Sequence, residues 1–259
     1  MSRNSTHINC NQVAGTVNQG IWKNDCDPCA TSPFAINNIT VWHRFNFGVN
    51  NNATPADILA AVANGTGVSQ WDDQIGSNDA EQQTLADEPT WYSTDTAHKV
   101  TAGNHFDLSS AITYGAAADF TVLLAYVPLI NTTPSGQKLW DQSGGQNYLK
   151  WDSPTQLTFR LAGLNHVVTG PAIQLTDYTN FVVRRCTNMC QIFVAGVPWG
   201  AAFLAAGALT IDRLGPDANG YIAAHMQFDR CLTDKEIWCL DCYNSNQDDE
   251  ENPVTCNIG

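Results

Sequence analysis

The chain has 259 residues, enough for one domain with a sizeable hydrophobic core. Its net charge is −13 and it has only 12 Lys and Arg residues, which argues against nucleic-acid binding because phosphate recognition needs clustered cations. No stretch approaches the roughly 20 consecutive apolar residues of a membrane helix. We therefore expect neither a nucleic-acid partner nor membrane insertion.

The first 38 residues show no hydrophobic periodicity, and they predict an irregular N-terminal arm, residues 1–38. The arm contains four potential metal ligands, His7, Cys10, Cys26 and Cys29. The order His-x-x-Cys, fifteen residues and Cys-x-x-Cys is similar to zinc-ribbon spacing, in which two tight turns hold one zinc ion. The arm is therefore a candidate zinc site, with a disulfide or free thiols as the alternatives.

From residue 39 onward, short apolar runs alternate with turn residues such as Gly, Pro and Asn, a pattern that predicts β-strands. The predicted strands are 39–47, 68–72, 105–108, 120–129, 138–141, 146–151, 157–161, 180–185, 191–197, 209–214 and 221–228. Many short strands with polar turns are typical of a sandwich or barrel rather than of alternating β–α units. We expect residues 39–245 to form one all-β sandwich.

Two short helices interrupt the strand pattern. The first follows Thr54, a suitable N-cap, and ends at Gly65, a suitable C-cap. The second begins at a capping box, in which Thr233 and Glu236 satisfy each other's backbone N–H groups. The remaining residues, 246–259, are polar and acidic and predict a solvated C-terminal tail.

Seven segments carry a family pattern. They are WHRFN (42–46), VSQWDDQIGSNDA (68–80), EPT (88–90), HFD (105–107), NFVVRR (180–185), IFVAGV (192–197), and the strand 220–230 followed by LTDKEI (232–237). Together they resemble concanavalin A-like (LamG-type) jelly-roll domains in virion structural proteins of tailed bacteriophages, particularly marine ones. The resemblance spans roughly residues 39–244. It implies a jelly-roll fold and a virion context, and it does not imply a ligand. The polar N-terminus lacks the apolar core of a signal peptide, so we expect assembly in a host cytoplasm.

The chain departs from that family pattern at two positions. Residue 195 is Ala where such domains usually carry Asn before Gly, and residue 75 is Ile where Ser is usual. Both departures weigh against an intact ligand or metal loop.

Glycoside hydrolases built on such a sandwich need two carboxylates on one face. None of the five Glu residues lies in a predicted strand. Asp72 and Asp73 are the one Asp pair inside the resemblance, but adjacent strand residues point to opposite faces. The six histidines are scattered, and no Gly-x-Ser-x-Gly motif is present. The sequence therefore predicts that the protein is not an enzyme.

Cys186 and Cys190 flank a three-residue segment between two predicted strands. In a tight hairpin they would lie nearly opposite each other, at a distance that a disulfide can span. They are therefore a candidate disulfide pair.

Trp199 lies in a Gly-Val-Pro-Trp-Gly segment that predicts a loop, so it is the best candidate for an exposed tryptophan. Phe203 follows in an Ala- and Gly-rich stretch, 201–208, that could contact another subunit. An exposed aromatic side chain indicates sugar binding or a protein contact about equally well.

These observations favour a non-enzymatic virion structural protein, a decoration or cement subunit of the capsid. It would contact the major capsid protein or other virion proteins, and it would form a homo-oligomer such as a trimer. The alternative is a carbohydrate-binding module of a head or tail fibre that recognises a host surface glycan. A glycan hydrolase is the third interpretation. The only cofactor that the residues suggest is zinc in the arm.

Overall fold

The structure, a computed structural model, describes residues 36–44, 49–50, 65–92, 97–101, 103–129, 136–173 and 178–247. Within these ranges the chain forms seventeen strands and one α-helix. The strands are β1 (Ile39–His43), β2 (Val49–Asn50), β3 (Gln70–Trp71), β4 (Ala80–Glu81), β5 (Thr90–Tyr92), β6 (Ala97–Val100), β7 (Phe106–Tyr114), β8 (Phe120–Pro128), β9 (Gln137–Asp141), β10 (Tyr148–Ser153), β11 (Gln156–Leu161), β12 (Leu164–Thr169), β13 (Thr179–Cys186), β14 (Met189–Val194), β15 (Val197–Leu204), β16 (Leu209–Leu214) and β17 (Gly220–Phe228). The helix is α1 (Asp234–Gln247), and a 3₁₀ turn covers Leu85–Asp87.

The strands form two antiparallel sheets that pack face to face. The nine-stranded sheet has the order β12-β11-β10-β9-β16-β7-β4-β3-β2. The eight-stranded sheet has the order β15-β14-β13-β8-β17-β6-β5, and β1 pairs with the end of β17 beyond β6. The predicted all-β sandwich is confirmed. The predicted helix that follows Thr54 falls almost wholly outside the described residues.

The main core lies between the two sheets, where aromatic side chains fill most of the space. Its largest fully buried members include Trp71, Trp91, Trp140 and Trp151. Burying one aromatic side chain of this kind stabilises a fold by about 2–3 kcal/mol. The tryptophans of the predicted strands are therefore core residues rather than a sugar-stacking surface.

A second apolar cluster lies on the outer face of the eight-stranded sheet, beneath helix α1. Leu123, Val182 and Met226 come from the strands, and Ile237 and Leu240 come from the helix. Because β8 is covered on both faces, all its residues but Thr121 are apolar or aromatic, and they do not alternate with polar residues. One sheet therefore has a covered outer face.

The capping box of helix α1 is confirmed. The backbone N–H of Glu236 donates to the Thr233 hydroxyl at 3.2 Å, and the Thr233 N–H donates to the Glu236 carboxylate at 2.8 Å. Arg230 also binds the Glu236 carboxylate with both terminal nitrogens. These contacts fix the helix start against the end of β17.

The predicted Cys186–Cys190 disulfide is wrong, because Cys186 pairs with Cys231. The turn between β13 and β14 has two residues rather than three, so Cys186 lies opposite Met189 while Cys190 lies opposite Arg185. Neighbouring strand positions point to opposite faces of a sheet. Cys190 therefore enters the main core as a free thiol, and Cys186 faces the side where the chain approaches α1.

Within the described residues, no helix has the length and apolar character that crossing a membrane requires.

Candidate functional site: the outer face of the nine-stranded sheet

The outer face of the nine-stranded sheet carries polar and charged side chains. On β10 and β11 the residues that point into the core are apolar, and those that alternate with them point outward. In the part of the chain that the structure describes, no helix or strand packs over this face. The outer face of the other sheet lies beneath α1. As far as the described residues go, the nine-stranded sheet therefore presents the larger uncovered polar surface.

Six outward residues on six adjacent strands lie directly opposite one another and form a row across this face. We call them the polar row, and they are Asn165, Arg160, Tyr148, Asp141, Arg213 and Asp107. Adjacent strands are about 4.8 Å apart, so the row extends for roughly 24 Å. The row contains side chains that only donate hydrogen bonds, Arg160 and Arg213, and side chains that only accept them, Asp141 and Asp107.

A bidentate ion pair lies near the centre of the row. Arg213 Nε and Nη2 donate to the two carboxylate oxygens of Asp141, each at 2.8 Å. Lys138 Nζ lies 3.4 Å from the same carboxylate and 2.7 Å from Asp217. Asp141 itself is fully buried beneath these cations. A paired, planar arrangement of this kind holds its side chains in fixed positions, so this part of the row is preorganised.

Three cations surround the ring of Tyr148. The guanidinium carbon of Arg160 lies 5.7 Å from the ring centroid, and the Nζ atoms of Lys138 and Lys150 each lie 5.9 Å from it. These distances are within the range of cation–π attraction. Because the cations cover the ring, Tyr148 is only 8% exposed. The surface above Tyr148 is therefore basic, although the protein as a whole is acidic.

The same face collects carboxylates from distant parts of the sequence. Asp107, Asp141, Asp152 and Asp217 belong to different strands or turns, and each contacts a basic or polar neighbour on this face. The sequence prediction rested on Glu residues and adjacent Asp pairs. It missed these four carboxylates because strand pairing brings them together from distant positions in the sequence. The argument that no two carboxylates share a face is wrong.

The segment 72–79, part of the family pattern, is held by Asp73. Its carboxylate accepts the backbone N–H groups of Trp42, Ile75, Gly76 and Asn78 at 2.9 to 3.3 Å. A carboxylate engaged by four amides has little capacity left for a metal or a sugar. Within the described residues, no cluster of three or more His, Cys, Asp or Glu side chains could hold a metal ion. The role of Asp73 is therefore structural.

Three histidines that are distant in the sequence meet inside the sandwich. His43, His98 and His225 are fully buried, and burial lowers the pKa of His43 to about 4 and of His98 to about 3. Burial also holds the pKa of His225 well below its usual value. These side chains are neutral at physiological pH and have no access to a ligand, so they belong to the core.

The predicted contact residues lie away from the polar row. Trp199 is on strand β15 rather than on a loop, it is 4% exposed, and its Nε1 donates to the Pro171 carbonyl at 2.9 Å. The expectation of an exposed Trp199 is therefore wrong, because the segment continues the sheet as an edge strand. Phe203 is half-buried and stacks on His166, with ring centroids 4.9 Å apart. The proposed zinc ligands His7, Cys10, Cys26 and Cys29 lie outside the described residues.

The fold was compared with known proteins. No family model matches the chain, and no curated protein sequence matches it significantly. The solved structures that resemble it include Trypanosoma rangeli sialidase with 2,3-difluorosialic acid, at a TM-score of 0.52 and 15% identity over 85% of this chain. The same sialidase with sialic acid gives a TM-score of 0.50 and 16% identity over 86% of this chain. A weaker likeness, with a TM-score of 0.45, links the chain to domain 4 of the arabinanase AbnA from Geobacillus stearothermophilus.

The chain spans 37% of the length of the sialidase chains that it matches. With TM-scores of 0.50 and 0.52 and identities of 15 to 16%, the likeness shows a shared fold alone, which is a β-sandwich of the concanavalin-like, jelly-roll kind. The prediction that the chain is not an enzyme is corrected by this likeness. Because this fold occurs within sialidase chains, it gives no ground for excluding catalysis. The argument from missing carboxylate pairs also fails, because the nine-stranded sheet carries several carboxylates on one face.

Proposed function

We propose that this protein binds carbohydrate on the outer face of the nine-stranded sheet. The observation that carries the proposal is the polar row, in which six polar or charged side chains cross a face that no described helix or strand covers. Sugar hydroxyl groups both donate and accept hydrogen bonds, so a face that offers donors and acceptors suits them. A regular sheet also holds the spacing between these groups constant, which suits a polymer of repeating sugar rings.

Preorganisation of the row supports the proposal. Asp141 and Arg213 are held by two hydrogen bonds, and the Tyr148 hydroxyl donates to Asn165 at 3.2 Å. Side chains fixed before binding lose little conformational entropy on contact with a ligand. The fold shared with sialidase chains is compatible with a carbohydrate ligand, and one of those chains is described in complex with sialic acid.

The resemblance to virion proteins extends the proposal to a location. We propose that the module is carried on a virus particle, as a decoration subunit of the capsid or as part of a head or tail fibre, where it contacts host surface glycan. The supporting segment is the closing strand β17 with the capped start of α1, the same region that carries the family pattern. Mass spectrometry of washed virions would detect the protein at a stoichiometric ratio to a structural subunit, and its absence there would contradict this location.

Equilibrium binding to a panel of neutral and acidic polysaccharides tests the carbohydrate proposal. Substitution of the exposed row residues Asn165→Ala and Asp107→Ala should each weaken binding about fivefold to tenfold, the effect of losing one hydrogen bond. Lys99→Gln is the control, because Lys99 lies 5.4 Å from the Tyr92 ring centroid on the eight-stranded sheet. Equal affinity in all three variants would contradict the assignment to the row. Release of reducing sugars should be measured on the same panel to test for hydrolysis.

A further inference from the structure

We propose that the carbohydrate bound by the polar row is acidic and that Arg160 binds its anionic group. This inference rests on the proposed function and names the class of ligand. It arises from the charge of the basic surface above Tyr148, formed by Lys138, Lys150 and Arg160. The chain has a net charge of −13, so three cations gathered around one ring are a local exception.

Arg160 differs from four other arginines in its contacts. Arg213 binds Asp141, Arg184 binds Asp234, and Arg230 binds Glu236. Arg185 donates three hydrogen bonds to backbone carbonyls. Among the described residues, Arg160 alone of these five forms no hydrogen bond and no ion pair.

The Nε atom of Arg160 is also shielded from solvent and has no hydrogen-bond partner. A ligand cannot reach this shielded Nε, so only the two terminal nitrogens of Arg160 are able to bind one. A planar guanidinium binds a carboxylate through two parallel hydrogen bonds. A ligand carboxylate on the terminal nitrogens would supply the acceptors that the described residues do not supply.

The two lysines strengthen the attraction for an anion at this place. Lys150 pairs with Asp152 at 2.8 Å, and Lys138 pairs with Asp217 at 2.7 Å. Their charges are partly neutralised, whereas that of Arg160 is met only by the face of the Tyr148 ring. With Arg213 included, four cations on this face meet four carboxylates, Asp107, Asp141, Asp152 and Asp217. Among the described residues, Arg160 is the one of these four cations that has no carboxylate partner.

Asn165 supplies a second donor beside the guanidinium. It lies directly opposite Arg160 in the strand register, and its Oδ1 accepts the Tyr148 hydroxyl. Because this bond uses only Oδ1, the side-chain N–H₂ group of Asn165 remains able to donate to a ligand, and the residue is exposed. An anionic oxygen bound to Arg160, or a hydroxyl next to it, lies within reach of this amide on the adjacent strand.

The net negative charge of the protein affects which anionic polymers it can bind. At physiological salt, charges are screened beyond about 8 Å, so the contacts at Arg160 persist while repulsion from distant carboxylates is weakened. A dense polyanion would place many of its charges against the acidic remainder of the surface. A polysaccharide with one charge per sugar presents fewer such charges, which favours it over nucleic acid.

Matched pairs of polysaccharides test this inference by calorimetry at 0.15 M salt. Polygalacturonate carries a free carboxylate on each sugar that is an uncharged methyl ester in its fully esterified form, and dextran sulfate and dextran differ in sulfate. We expect polygalacturonate to bind at least tenfold more tightly than its ester. A preference for dextran sulfate over dextran without one for polygalacturonate would overturn the carboxylate assignment and indicate sulfate instead.

Arg160→Gln should remove the preference for the acidic polymer, and Arg160→Lys, which keeps the charge but loses the planar fork, should restore only part of it. Lys99→Gln should bind as the unsubstituted protein does. Thermal melting of each variant establishes that it is folded. An unchanged preference in Arg160→Gln, or equal binding of the acidic and neutral members of each pair, would overturn the inference while leaving carbohydrate binding intact. Failure to bind any polysaccharide would overturn both.

Discussion

His43 and His225 stack inside the sandwich with their Nδ1 atoms 3.1 Å apart. The surrounding contacts define one consistent set of tautomers. Gln227 Nε2 donates to His225 Nε2, so His225 donates from Nδ1 to His43, and His43 donates from Nε2 to the Asn78 carbonyl. The Tyr114 hydroxyl completes the chain by donating to Gln227 Oε1. Protonation of either histidine would place two N–H groups against each other.

This network predicts that acid destabilises the fold. Burial lowers the folded-state pKa of His43 to about 4, although Asp73 and Asp79 act in the opposite direction. The unfolded pKa is near 6.5, so the stabilisation is fully present above pH 6.5 and is lost as the pH falls toward 4. Each histidine held neutral lowers the unfolding free energy by about 1.4 kcal/mol per pH unit in this range. Urea denaturation between pH 8 and pH 4 measures the slope, and a flat profile would contradict the assignment.

His98 provides a test of a single histidine. It packs against Trp71, Trp91 and Phe106, with ring centroids 4.4 to 5.2 Å away, and its Nδ1 has no hydrogen-bond partner. His98→Phe replaces this buried polar ring with an apolar ring of similar shape. We expect unchanged or increased stability at pH 7 and a shallower loss of stability below pH 6.5. His105→Phe is the surface control, and an acid slope that stays the same in His98→Phe would exclude His98 from the effect.

The turn between β14 and β15 offers a stabilising substitution. Ala195 and Gly196 both have positive φ, 50° and 73°, as the two central residues of a tight hairpin turn of this kind require. Ala is strained there, whereas Asn adopts this conformation readily. Ala195→Asn, which restores the residue usual in the resembling family, should raise the free energy of unfolding by about 0.5–1 kcal/mol. A lower midpoint of chemical denaturation would show that Ala195 is required by its packing.

The Cys186–Cys231 disulfide should contribute measurably to stability. It joins residues 45 positions apart and connects the end of β13 to the start of the helical segment. Loops of this length predict a contribution of about 3–4 kcal/mol through loss of unfolded-state entropy. The double variant Cys186→Ser/Cys231→Ser should therefore melt at a lower temperature under oxidising conditions. Cys190→Ala, at the buried free thiol, controls for the loss of a cysteine side chain, and equal melting of the two variants would contradict the pairing.

The four amides around Asp73 predict a large effect of its substitution. Asp73→Ala leaves the N–H groups of Trp42, Ile75, Gly76 and Asn78 without their acceptor. Hydrogen bonds to a charged acceptor contribute about 1.5–3 kcal/mol each, with strong non-additivity, so we expect a loss of at least 3 kcal/mol. Asp79→Asn is the milder comparison, because the Asp79 carboxylate accepts hydrogen bonds from the backbone N–H of Asp73 and the side chain of Gln70. Similar stability of both variants would show that the segment is held by other contacts.

Local sequence signals predicted much of the fold. The apolar run of β8 and the capping box at Thr233 are explained by neighbouring residues, and both predictions are confirmed. The strands β12 and β15 escaped prediction because they lie at sheet edges and are largely exposed, so their hydrophobic alternation is weak. The Cys186–Cys190 prediction was wrong because the turn has two residues rather than three. A difference of one residue changes the face of the sheet to which each following side chain points.

The polar row could not be predicted from the sequence. Asn165 and Asp107 are 58 positions apart, and the row exists only because five pairs of strands align in one register. No local motif marks Arg160 or Tyr148. The predictions for the N-terminal arm stay predictions, and measuring the zinc content of the purified protein, with Cys26→Ser/Cys29→Ser as the comparison, would test them.

Backbone amide exchange in the presence of the tightest-binding polysaccharide tests the central claim most directly. If carbohydrate binds on the polar row, protection should increase in β7, β9, β10, β11, β12 and β16, and the strands and helix of the covered eight-stranded face should be unchanged. Asn165→Ala should reduce this protection at the same polysaccharide concentration. Protection confined to the eight-stranded sheet, or none at saturating polysaccharide, would contradict the proposed site.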